Sequence, residues 1–141
     1  MKKLVLIFVF FISTCSSENK NLIIINSFDN MQFDINKINI KINEKITLIL
    51  KHNGKMSKQI MGHNFVLLNK GTDVNSFAKK AMASKDTEYI PSDIKVLANT
   101  RLIGGGETDT ISFVVNNPGK YNYICSFPGH YQIMRGELIA K

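Results

Sequence analysis

The chain is 141 residues long, 44% hydrophobic and 21% charged, the make-up of one globular domain able to bury its own core, so no second domain is expected. Its formal net charge is +7, but the basic residues are scattered, and the basic run that nucleic-acid binding requires is missing. A mildly positive surface instead fits solvation, anionic lipid headgroups or an acidic protein partner.

The first residues stand apart from the fold. "MKK", the apolar run "LVLIFVFFI" and then "STCSS" read as the charged start, apolar stretch and processing site of an export signal. The run is too short to span a bilayer comfortably. "ISTC" before a polar stretch resembles a bacterial lipobox, which makes residues 1–15 a lipoprotein-type signal and Cys15 the lipidated first residue of the mature protein. Thr14 departs from the Gly, Ala or Ser usual there, and ordinary cleavage nearby with Cys15 discarded is the alternative. Both readings place the protein outside the cytoplasm, and the net charge falls to +5 once Lys2 and Lys3 leave. Cys125 is then the one remaining cysteine, and a thiol alone in an oxidising compartment must be buried and inert, or bound to something.

Residues 16–21 read as a short polar tether, and the domain follows over 22–141. "LIIINS" (22–27), "INKINIKI" (35–42) and "KITLILKH" (45–52) are expected strands; Ile38, Ile40 and Ile42 alternate with polar residues, giving one buried and one solvated face. "HNFVLLNK" (63–70) is expected to be another. The texture then changes, because Val74, Phe77, Ala78, Ala81 and Met82 recur at helical intervals behind Asp73 as N-cap, predicting one short helix around 73–84. An irregular stretch to Asn99 and a glycine loop at 104–106 lead to strands at 109–116, 121–126 and 136–141. About eight short strands with one inserted helix predict an all-β sandwich or closed barrel.

Near the end, "YNYICSFPGHYQIM" carries Cys125, His130 and Met134. Cys125 ends a strand, and Pro128 and Gly129 can tighten the loop that follows so that the three side chains converge. Thiolate, imidazole and thioether are soft ligands suited to copper, and two histidines with one cysteine and a weak axial methionine form the blue-copper arrangement. The second histidine is His52 or His63. His63, directly after a glycine at a strand start, is the better placed; His52, in the turn "KHNGK", is expected to lie elsewhere, solvated or hydrogen-bonded locally.

"MGHNFVL" and "CSFPGHYQIMRGEL" resemble the two metal-binding segments of the azurins, small bacterial blue-copper proteins of the cupredoxin class. "NMQFD", "KHNG", "MAS" and "RLIGGGETDTISF" match azurin-like segments in the same order. The resemblance implies a Greek-key cupredoxin fold with one type 1 copper held equatorially by His63, Cys125 and His130, axially by Met134, and weakly by the Gly62 carbonyl. It implies that Asn64 ties the two ligand segments together and sends a backbone hydrogen bond to the Cys125 sulfur. Ser126 and Phe127 would supply the amide and ring beside the thiolate and His130. Met31 and Met61 would join His130 on an apolar docking patch, with ordinary core filling as the alternative, and His52 would be a pH-linked residue. Two departures stand out: the usual azurin disulfide has no counterpart here, and Phe65 replaces the interior tryptophan.

The function this implies is electron transfer, Cu(II) to Cu(I) and back, without substrate transformation, in the periplasm or lipid-anchored at a membrane surface. The implied partners are c-type cytochromes, peroxidases or denitrification reductases. A copper-holding or delivery protein and a zinc-occupied site are the alternatives. An enzymatic copper protein would need a further histidine-rich centre, which three histidines cannot supply.

Overall fold

The structure, a computed structural model, describes residues 21–141; the signal segment, Cys15 and the tether up to residue 20 lie outside the described residues. In chain order the elements are β1 (Leu22–Phe28), β2 (Gln32–Phe33), β3 (Lys37–Ile40), β4 (Lys45–His52), α1 (Lys58–Met61), β5 (Val66–Leu68), α2 (Val74–Met82), β6 (Val96–Asn99), β7 (Thr108–Val114), β8 (Gly119–Ile124) and β9 (Arg135–Ala140). They build two packed sheets, ordered β2-β1-β4-β7 and β3-β9-β8-β5-β6. Two pairings, β1 with β4 and β3 with β9, are parallel, because the chain crosses between sheets early and returns late, as a Greek key requires.

The alternation that marked the strands decides the packing. In β4, Ile46, Leu48, Leu50 and His52 all face inward and are buried. Between the sheets they meet Ile25, Phe65, Leu67, Phe113, Tyr123 and Leu138, each fully buried aliphatic or aromatic side chain contributing about 1.5–3 kcal/mol. Phe65, in place of a tryptophan, is fully buried with its ring 5.1 Å from that of Tyr123, whose hydroxyl donates to the Ile35 carbonyl at 2.6 Å. A second cluster lies on the other side of the five-stranded sheet, where Phe77 and Ala81 of α2 cover Val66, Leu68 and Ile124. Both faces of β5 are therefore buried. Asp73 caps α2 by accepting from the Ser76 amide at 2.7 Å. Among the described residues, both clusters are built from 23–140.

Several local expectations change. The strand expected over 35–42 is cut to Lys37–Ile40, with Ile42 in the turn that follows. The strand expected over 63–70 shrinks to Val66–Leu68, and His63 instead forms an isolated bridge to Ile103. Residues 96–99, within the stretch expected to be irregular, form β6 against β5 with a bulge at Leu67/Leu68. Extra helical turns appear as α1, before Gly62, and as a 3-10 turn at Lys85–Thr87. Met82, expected on the apolar side of its helix, is half exposed at the last helical position.

The two ends of the sandwich differ in contents. One gathers the end of β4, the β8–β9 loop and α1. The other holds the start of β1, the β3–β4 turn and Lys141, joined by bonds from the Ile42 amide to the Lys141 carbonyl (3.1 Å) and from the Thr47 amide to the Asn21 carbonyl (2.8 Å).

Candidate metal centre

Cys125 follows the last residue of β8, and its amide donates to the Met134 carbonyl at 2.9 Å, pinning the loop 126–134 at its base. Inside the loop the His130 amide donates to the Phe127 carbonyl at 3.1 Å and the Met134 amide to the His130 carbonyl at 2.8 Å. These turns need Gly129 at φ +85°, a left-handed conformation that is unstrained for glycine. The loop thereby folds back on its own start: the Cys125 Sγ lies 3.6 Å from His130 Nδ1. Cys125 and Met134 are fully buried and His130 is 3% exposed.

The second segment comes from the opposite side. His63 is held by a reciprocal pair of backbone bonds with Ile103, 2.9 and 2.8 Å, and its ring centroid lies 5.2 Å from that of His130. The Gly62 carbonyl oxygen sits 3.8 Å from the Cys125 Sγ. Glycine is required there by close approach, since a Cβ would stand 2.5 Å from the Lys58 carbonyl oxygen.

Asn64 locks the two segments together. Its Oδ1 accepts from the Ser126 amide at 2.8 Å, and its Nδ2 donates to the Ser126 hydroxyl (2.9 Å) and the Glu88 carbonyl (3.2 Å). The backbone amides of Asn64 and Phe127 both donate to the Cys125 sulfur. Sequence reasoning paired Ser126 and Phe127 as amide and ring; the Ser126 amide is spent on Asn64, so Phe127 supplies both. Its ring packs on His130 with centroids 4.7 Å apart.

Electrostatically the site prefers neutral groups. Burial pushes the Cys125 thiol up to about 12, opposed by the two amide bonds to its sulfur. Burial holds His63 down to about 3, helped by the neighbouring His52 and His130 rings, and holds His130 down to about 4. Among the described residues, His63 is the buried side chain left with unpartnered polar atoms: neither ring nitrogen has a hydrogen bond. A buried polar group left bare costs about 1–3 kcal/mol, and a metal ion would satisfy it. Among the described residues no three His, Cys, Asp and Glu side chains form a metal-holding cluster by themselves; the expected further donors, the fully buried Met134 and the Gly62 carbonyl, belong to the same two segments. A carboxylate-free set of imidazole, thiol and thioether fits copper better than a hard cation.

A family model described as copper-binding proteins, plastocyanin/azurin family, matches residues 20–141. The chain belongs to this plastocyanin/azurin family. It is 43% identical over 116 residues to azurin-1 of Alcaligenes xylosoxydans xylosoxydans, covering 78% of this chain and 89% of that protein. It is 38% identical over 118 residues to outer membrane protein H.8 of Neisseria gonorrhoeae, covering 81% of this chain and 64% of that one. The crystal structure of dithionite-reduced auracyanin from Roseiflexus castenholzii superposes with a TM-score of 0.77 at 26% identity, covering 86% of this chain and 97% of that one. Family membership gives the chain one type 1 copper and the general role of a blue-copper electron carrier.

Within this family frame His52 needs correction. Instead of lying elsewhere in a solvated turn, it is 1% exposed and stacks on His63 with centroids 4.2 Å apart and planes 6° from parallel. It is hydrogen-bonded locally: the Gly54 amide donates to Nδ1 at 3.0 Å, and Nε2 pairs with the Met61 carbonyl at 2.9 Å. Glu88, which sequence reasoning passed over, braces the site twice, through its carbonyl to Asn64 and its Oε2, which accepts from the Leu102 amide at 2.9 Å. Met31 and Met61 are half-buried and belong to neither hydrophobic cluster. More exposed are Ile60 (68%) and Ile133 (57%), each within two positions of a donor residue, Gly62 or Met134.

Proposed function

We propose that this protein shuttles single electrons between redox proteins outside the cytoplasm, with copper held by His63, Cys125 and His130 and more weakly by Met134 and the Gly62 carbonyl. The observation that carries the reading is the fully buried His63 ring with both nitrogens unpartnered beside a buried thiol. Bound copper supplies the one-electron couple, Cu(II)/Cu(I). The chain's own residues hold the donors still. Asn64 fixes the distance between the two ligand segments, the Asn64 and Phe127 amides stabilise negative charge on sulfur, and buried surroundings exclude water. Donors anchored by backbone bonds need move little when the charge changes, which keeps electron exchange fast.

His130 and Phe127 lie on the loop that borders the exposed Ile133, so this end serves as the electron's doorway. Met31 and Met61 extend its apolar surface, in keeping with their absence from the core. The partners are of the kind the azurin resemblance implies, c-type cytochromes, peroxidases or denitrification reductases. Lipidation at Cys15 would keep the carrier at a membrane surface of the periplasm, and the likeness to a protein named for the outer membrane supports it. His52 is the expected pH-linked residue in this reading, its ring stacked on that of His63. A potential without slope between about pH 5 and 8 removes that part.

Copper reconstitution followed by visible spectroscopy tests the core of the proposal. An intense blue thiolate-to-copper band that bleaches on reduction and returns on oxidation supports it. A colourless zinc-preferring protein, or a copper complex that does not cycle, overturns it in favour of metal holding or delivery.

A further inference from the structure

The end of the sandwich away from the metal centre has a surface that electron transfer does not use. Asn21, where the described chain begins, sits there, and a cavity of about 300 Å³ beside it is lined by Asn39, Ile40, Lys41, Glu44 and Lys141. Lys45 opens β4 at the same level, Lys120 pairs with Ile139 near the chain end, and Lys70 reaches the Pro118 carbonyl at 3.3 Å. All five lysines are exposed.

Little neutralises them. Lys41 and Lys120 have carboxylates only at the margin of contact, 3.9 Å to Glu44 and 3.8 Å to Glu137, with lysine side chains 72% exposed. Pairs so open to water are worth little. Beside the lysines, the outer face of the four-stranded sheet presents Leu22 (40%), Ile24 (39%) and Val114 (44%) to solvent, with Val114 directly opposite Lys45. Apolar side chains rimmed by lysines match the headgroup layer of an anionic bilayer, where each surface lysine contributes about 1 kcal/mol.

The chain's layout points the same way. Five residues separate Cys15 from Asn21, about 20 Å from one to the other at full extension, so a lipid on Cys15 would hold this end at the membrane. β4 then runs from Lys45 to His52, a rise of about 25 Å, to the metal centre on the far side.

We propose that the end carrying Asn21, with Lys41, Lys45, Lys70, Lys120 and Lys141, docks on anionic phospholipid headgroups and thereby points the copper end into the aqueous space. The orienting role rests on the lipid-anchor reading; the binding itself does not, and the test separates them. Copper-loaded residues 16–141, which carry both sheets and lack Cys15, are sedimented with vesicles of phosphatidylcholine alone or mixed with phosphatidylglycerol. The protein is expected to pellet only with the mixed vesicles, and to release near 0.15 M salt, where charges are screened beyond about 8 Å. Lys41→Glu with Lys141→Glu should lower partitioning about tenfold or more. Lys58→Glu with Lys85→Glu, beside the metal end, should leave it within about twofold. The unchanged blue band confirms that each variant is folded. Failure of the wild type to bind mixed vesicles overturns the proposal, as does equal loss in both pairs. Binding of soluble polyglutamate through Lys41 and Lys141 without vesicle binding would overturn it in favour of an acidic protein partner. An unlipidated native N-terminus, by mass spectrometry, would remove the anchor and leave the vesicle result standing.

Discussion

The two ends of the sandwich spend their charges differently. At the metal end, carboxylates are consumed as backbone acceptors: Asp29 takes the Lys55 and Met56 amides, Glu107 the Gly104 amide, Asp109 the Arg101 amide and Glu88 the Leu102 amide. At the opposite end the turns close through main-chain bonds and a left-handed residue, Asn43 at φ +61°, and the lysines are left to solvent. The difference shows what a buried metal site demands. Long loops that deliver donors have many amides to satisfy, and side-chain acceptors supply the bonds that regular strands supply elsewhere.

The sharpest break in the comparison is Cys125→Ser. It should abolish the blue band entirely while leaving the circular dichroism of the sandwich unchanged, because the thiol makes no bond on which the fold depends.

A pH titration of the copper-free protein comes next. His63 and His130 are held below the ordinary histidine value in the folded chain, to about 3 and 4, so between about pH 4 and 6.5 the unfolded chain binds more protons than the folded one. Stability is therefore complete above about pH 6.5 and falls on acidification, by up to about 1.4 kcal/mol per pH unit for each histidine. Denaturant unfolding at several pH values measures it, and copper should flatten the slope by occupying both rings.

Asn64→Ala removes two bonds to Ser126 and one to the Glu88 carbonyl, and strands the buried Ser126 amide. A loss of about 3 kcal/mol is expected in unfolding experiments, with a broadened and shifted blue band. The smallest effects separate the two ends: Asp29→Ala should speed hydrogen exchange at the Lys55 and Met56 amides, whereas Lys120→Ala at the opposite end should leave stability within about 0.5 kcal/mol.

Much of this architecture was legible because it follows from short-range chemistry. The strand expected over 45–52 matches β4 residue for residue, and Asp73 marked the start of α2. Cys125, His130 and Met134 could be grouped because one short loop carries them. His52 was misplaced for a reason present in the sequence itself: the alternation Ile46, Leu48, Leu50 continues to His52, which puts its ring on the inner face and against His63. β6 escaped because it has only four residues and follows the turns around Pro91, so its pairing is fixed by β5 rather than by its own pattern. Glu88 and Tyr89, with φ of +55° and +65°, carry no turn residue that would announce them; their conformation is imposed by the bonds to Asn64 and Leu102. Charge position also resisted sequence reading, since lysines scattered along the chain gather at one end only when the turns come together.

The central claim is that copper held by donors the chain has already fixed would take up an electron without those donors rearranging. X-ray absorption at the copper edge, recorded on the same sample oxidised and then reduced, tests it most directly. The account predicts two imidazole nitrogens and one thiolate sulfur around copper in both states, with little change in their distances. Loss of an imidazole on reduction, or a metal shell without sulfur, would contradict it.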